Sequence, residues 1–173
     1  NLEASPQEVV CDPACAQEIL VVTPRQVPLG GPRAMTVRRT LPTRARSLIG
    51  PWCFIDHYGP NAVADSGGMR VPRHPHTGLA TVSWLFSGEV EHVDSAGHEA
   101  IVRPGSVNLM VAGAGISHSE FSTPETTVLH GVQLWFALPQ STRDRPPSFE
   151  AYAPEPVQLG DANVRVFLGE LAG

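Results

Sequence analysis

Apolar and polar positions along the chain alternate in short runs rather than in helical stripes. "MTVRRTL" (35–41) alternates and predicts a strand, as does the apolar run "EILVVTP" (18–24) before it. "PWCFIDHYGP" (51–60) predicts a strand closed by a Gly-Pro turn, and "NAVADSGGMR" (61–70) a loop. From residue 79 the pattern is regular. Strands are predicted over 79–86, 89–93, 99–102, 107–112, 116–122 and 127–138. The turn signals "DSAGH", "RPGS", "GAG" and "TPET" separate the later ones. No segment carries a 3.6-residue period. Short strands at this spacing predict an all-β sandwich or barrel. Residues 1–17 read as a polar arm and 18–138 as the main domain. Residues 139–162 begin with "PQSTRDRPPSFEAYAPEP" and read as a Pro-rich linker; "NVRVFLGE" (163–170) opens a further strand, and 163–173 reads as the start of a second domain.

Composition narrows the function more than the fold. A length of 173 residues suits one domain, and 17 Pro with 16 Gly suit many turns. The net charge of −5, with no basic run, gives no footprint for a phosphate backbone, so direct nucleic-acid binding is not expected. Three cysteines, Cys11, Cys15 and Cys53, do not make a disulfide framework. "CDPAC" lacks a second thiol pair and reads as free cysteines rather than a metal site. No run has signal or membrane-spanning length, so the expectation is a cytoplasmic protein without membrane contact.

The chemistry concentrates in two histidine-bearing pairs. In "RHPHTGLATVSWLF" (73–86), His74 and His76 are two apart and so share a strand face. Projected onward, that face carries Gly78, Ala80, Val82, Trp84 and Phe86, an apolar inward face with small residues beside the rings. A lone buried histidine is more often a core residue satisfied by a carbonyl. In "GAGISHSEFS" (113–122), however, His118 and Glu120 repeat the spacing. A buried glutamate is costly unless paired or bound to a cation, and neutral imidazoles are cation ligands. Two such pairs favour one divalent ion held by His74, His76, His118 and Glu120. Three imidazoles and a carboxylate suit an octahedral ion with two open positions. Fe(II) is the first expectation, with Mn, Ni, Cu and Zn as alternatives, because raw affinity does not select iron.

The same residues carry a family resemblance. "GMRVPRHPH" and "GISH" resemble the two motifs of cupins. The blocks "RTLPTRARSLIGPWCFIDHYGP", "HPHTGLATVSWLFSGEVEHVDSAG" and "IVRPGSVNLMVAGAGISHSE" resemble the pirin family within that superfamily, over about residues 36–138. The resemblance implies a cupin-type β-barrel, or jelly roll, that is the first barrel of a two-barrel protein. The glutamate usual after the cupin His-x-His is absent, with Ala80 and Thr81 in its place; Glu120 supplies the carboxylate, as in pirins. By resemblance the activity is that of a quercetin 2,3-dioxygenase, with a flavonol- or catechol-like substrate and O2, and Glu120 leaving the metal to act as base. The rival implication is a non-catalytic regulator whose iron redox state controls binding to a transcription factor or a metabolic dehydrogenase. Asp56 and His57 match a pirin block and read either as groups orienting a ligand imidazole or as a structural turn. Glu89, Glu91, His92 and His98 read as a solvated hairpin, Trp84 and Phe86 as core, and Cys53 as buried. His130 and Gln133 fall on opposite strand faces, so at most one meets the site.

Overall fold

The computed structural model describes residues 21–29, 35–167 and 169. The predicted arm, Cys11, Cys15 and part of the predicted 18–24 strand lie outside the described residues. Residues 21–24 are not strand, and the first strand is β1 (Arg25–Pro28). There follow β2 (Thr36–Leu41), β3 (Trp52–Ala62), a single turn α1 (Val63–Ser66), β4 (Arg70–His76) and β5 (Leu79–Ser87). Then come β6 (Val90–Asp94), β7 (Glu99–Val102), β8 (Val107–Val111), β9 (Ile116–Ser122) and β10 (Val128–Ala137). The chain ends in β11 (Ser148–Tyr152), β12 (Val157–Leu159) and β13 (Ala162–Val164). No described helix is long and apolar enough to cross a membrane.

Two sheets close a cupin-like barrel. One has seven strands in the order β1-β2-β3-β10-β5-β8-β11; the other has four, β4-β9-β6-β7. Odd-numbered positions of β5 and β10 face the interior, so Leu85 joins Val37, Tyr58, Met69, Val90 and Leu129 in the main core cluster. Met110, Ala112 and Ile116 form a second cluster with Phe149 against it.

Four expectations need correction. The face projected from His74 through Phe86 does not exist, because Thr77 and Gly78 (φ +65°) turn the chain from the four-stranded sheet into the seven-stranded one. Of the even positions of β5, Ala80 and Val82 are fully buried, but Trp84 is only half-buried and Phe86 is 52% exposed. The stretch 61–70 holds the end of β3 and the turn α1 rather than loop alone. The residues expected as linker contain β11, which pairs along β8 from Ser148↔Val111 to Tyr152↔Val107. The predicted 163–170 strand is reduced to β13, the second arm of a hairpin with β12. Beyond it Phe167 stacks on Trp84, and the Tyr152 hydroxyl donates to the Phe167 carbonyl.

Gly113, in the tight turn between β8 and β9, sets the start of the strand that bears His118. Its φ is +54°, and a Cβ there would drive into the backbone carbonyl of Arg145. Gly113→Ala is expected to cost about 3 kcal/mol, from left-handed strain plus the clash. The check is a lower denaturant midpoint with an unchanged slope.

Candidate metal centre

Strand β9 is the spine of the site. Its neighbour β4 pairs His74 opposite His118 and His76 opposite Ile116. On its other side β6 places His92 opposite Glu120 and Asp94 opposite His118. The prolines of "PRHPH" are tolerated because β4 is an edge strand and gives up few ladder bonds.

His74, His76 and His118 converge: their ligand atoms all lie within 4.8 Å of one another. His76 Nε2 is 3.0 Å from His74 Nε2 and 3.1 Å from His118 Nε2. His74 Nδ1 is 2.9 Å from the Pro72 carbonyl, which can only accept, so Nδ1 carries the proton and Nε2 turns a lone pair inward. Ring nitrogens gathered at one point, that of His74 turning a lone pair inward, fit a cation. Nitrogens at right angles around an ion about 2.1 Å away lie about 3.0 Å apart, against about 3.4 Å for a tetrahedral pair, so the spacing fits an octahedral edge.

His118 is 1% exposed and His76 7%. Burial, reinforced by the positive charge His74 would carry, pushes His76 down to about 4. Burial, then His74, His76 and His92, push His118 down to about 3, with Asp94 opposing. Both rings are therefore neutral near pH 7, the form a metal needs.

Glu120 shares the face of His118 and is buried, but its carboxylate is not part of the converging trio. Gln133 Nε2 donates to both oxygens, at 2.8 and 3.0 Å. Burial raises the Glu120 carboxyl above its ordinary range; the Gln133 bond and then His92 and His74 pull it down. Gln133→Leu leaves this group without that donor. We expect a loss of about 2 kcal/mol in the metal-free protein. Because a raised carboxyl favours its neutral form, the loss should grow as pH rises through the folded-state value and shrink in acid. Urea denaturation at two pH values checks both size and sign.

A cavity of about 420 Å³ opens beside the cluster, lined in part by Arg39, Phe54, His74, Glu120, Gln133 and Trp135. Phe54 and Trp135 stack at 3.9 Å and 9°, making a flat aromatic wall. Trp135 also packs edge-on against His76 at 4.8 Å. Arg39 lies 4.2 Å above Phe54 and is clamped by Asp56, with both contacts at 2.8 Å.

The two residues expected to orient a ligand ring thus part company. Asp56 faces inward but holds Arg39 over the wall. His57 faces outward, with its Nε2 3.0 Å from His130 Nε2 and its ring beside Arg38. Gln133 is the one member of the His130/Gln133 pair that meets the site. Cys53 is only half-buried, and burial pushes its thiol up.

The larger correction concerns His92. It is 3% exposed rather than solvated, with Nδ1 3.3 Å from His118 Nδ1 and Nε2 3.2 Å from Asp94 Oδ2. Its parity with Val90, also buried, was the available signal. Glu91 is exposed, and Glu89 pairs with Arg103 at 2.9 Å, as befits the outer side of the hairpin.

Comparison with known proteins places these features. A family model described as Pirin matches residues 34–136. The chain is 44% identical over 153 residues to a Pseudomonas aeruginosa protein carrying the name "Putative quercetin 2,3-dioxygenase", covering 88% of this chain and 48% of that protein. It is 37% identical over 164 residues to a pirin-like protein of Caulobacter vibrioides, covering 89% and 56%. A crystal structure of quercetin 2,3-dioxygenase from Acinetobacter baumannii superposes with a TM-score of 0.81 at 40% identity, over 86% of this chain and 49% of that one. The chain spans about half the length of these curated relatives.

Proposed function

The chain belongs to the pirin family, and from that premise we propose that it is the metal-binding half of a dioxygenase acting on flavonol- or catechol-like aromatic compounds. The observation that carries the reading is the convergence of three histidine rings, two buried and one half-buried, at a cavity with a stacked aromatic wall. The relatives' names support the same chemistry.

His74, His76 and His118 would hold one divalent ion, and Glu120 is the proposed fourth ligand. Fe(II) is the proposed ion, with Mn, Ni, Cu and Zn admissible for the same donor set. When bound, such an ion supplies a Lewis acid and a template that brings a deprotonated hydroxyl and O2 together. The rest is work for this chain's own side chains. The Phe54–Trp135 wall offers a face on which a planar ring stacks. Glu120, raised by burial, is suited to take the hydroxyl proton of the substrate at a carboxylate oxygen. Gln133 keeps that carboxylate aimed by binding both of its oxygens.

The test is oxygen uptake together with loss of the flavonol absorbance band. Both should require metal and O2. If protein loaded in turn with Fe, Mn, Ni, Cu and Co gives no turnover, the dioxygenase reading fails and a metal-redox-controlled binding role replaces it.

A further inference from the structure

Behind the metal-binding face of His118, three more side chains continue from its other nitrogen, ending at half-exposed His98. His118 Nδ1 lies 3.3 Å from His92 Nδ1. His92 Nε2 lies 3.2 Å from Asp94 Oδ2. His98 Nδ1 lies 2.9 Å from Asp94 Oδ2 and 3.1 Å from Oδ1. The backbone N–H groups of Ala96 and His98 donate to Asp94 Oδ1 at 2.8 and 3.1 Å. We propose that Asp94, acting through His92, fixes His118 as the tautomer that offers Nε2 to the metal. Asp94 and His92 are thereby positioning residues for the centre.

An ionised carboxylate only accepts hydrogen bonds, so His92 Nε2 must carry a proton. With its one proton on Nε2, His92 turns a lone pair from Nδ1 toward His118, whose Nδ1 would then be the donor. With its proton on Nδ1, His118 has a free lone pair on Nε2, the atom that meets His76. Burial alone would raise Asp94, but the N–H of His98, the rings of His92 and His98 and the N–H of Ala96 outweigh it and hold the group low. It therefore stays an acceptor. Metal-bound imidazoles are commonly ordered by such an outer partner, and its loss typically costs 10–100-fold in affinity.

The links from His118 to Asp94 are also buried. His92 is 3% exposed and Asp94 5%. Phe149 of β11 stacks on His92 at 4.6 Å and on His98 at 5.9 Å. The segment that looked like linker thus closes the back of the centre.

The inference rests on reading His118 as a metal ligand, so its first test needs no metal. In the metal-free full chain with ¹⁵N-labelled histidine, long-range ¹H–¹⁵N spectra near pH 7.5 should show His118 protonated on Nδ1 and His92 on Nε2. Finding His118 protonated on Nε2 overturns the proposal. Asp94→Asn keeps an oxygen for the loop N–H groups but turns an amide N–H toward His92, which reverses the chain. His118 should then appear protonated on Nε2, and Ni(II) affinity by chelator competition should fall 10–100-fold. The metal-free melting temperature should move by only a few degrees. A folded Asp94→Asn protein with unchanged His118 tautomer and Ni(II) affinity within threefold of wild type also overturns the proposal. If that variant does not fold, His92→Phe, which retains a ring against Phe149, takes its place in the affinity test. Wild-type protein with the expected tautomers but no Ni(II) binding would sink the metal reading and leave the tautomer assignment standing.

Discussion

His118→Ala is expected to abolish tight, stoichiometric metal binding while the barrel remains folded. His118 sits on β9, the strand that pairs with both β4 and β6, and its Nε2 is 3.1 Å from that of His76. Its removal leaves two imidazoles on one edge strand. We expect at least a 100-fold loss of Ni(II) or Fe(II) affinity, about 2.7 kcal/mol or more. The fold should survive, because the two apolar clusters do not include His118. A small cavity and the lost contact to His92 should lower metal-free stability by about 1–2 kcal/mol. Calorimetric titration and circular dichroism on the same sample separate the two effects. One equivalent bound at wild-type affinity would contradict the site assignment.

Acid should destabilise the metal-free protein steeply. His76 and His118 are held at about 4 and about 3 in the fold, against about 6.5 in an unfolded chain. The folded state thus binds fewer protons than the unfolded state between those values. Stability from keeping these rings neutral is fully present above about pH 6.5 and drains away as pH falls toward 4 and then 3. His76 alone accounts for about 3 kcal/mol across that window, a large fraction of the stability of an ordinary domain. Denaturant midpoints measured from pH 7.5 down to pH 4 should fall progressively. His118→Ala, which removes one of the two groups, should flatten the curve. A midpoint flat over that range would show that the rings titrate normally and are not buried together.

Both effects could be anticipated from the sequence because strand parity is a strong constraint. His118 and Glu120, like His74 and His76, are two apart, and a period of two puts such pairs on one face whatever the strand's exact ends. Parity failed where the chain changes sheets. Gly78 lets β4 and β5 run on in sequence as one apolar stretch while belonging to different sheets, so Phe86 was placed inside and lies outside. His92 was obscured by composition. Flanked by Glu89 and Glu91, it looked solvated, although it alternates in phase with buried Val90. Strand β11 was hidden between Pro146, Pro147, Pro154 and Pro156, because proline density reads as linker even when five residues between can complete a sheet edge. The aromatic wall was beyond parity altogether. Phe54 and Trp135 become neighbours only through the antiparallel register of β3 and β10, far apart in the chain.

The central claim is that one divalent ion sits among His74, His76 and His118. Anomalous diffraction at the nickel edge, from crystals of the Ni(II)-loaded protein, tests it most directly. The expected result is a single strong peak within bonding distance of all three Nε2 atoms. A peak at the outward His57–His130 pair with none among His74, His76 and His118 would contradict it.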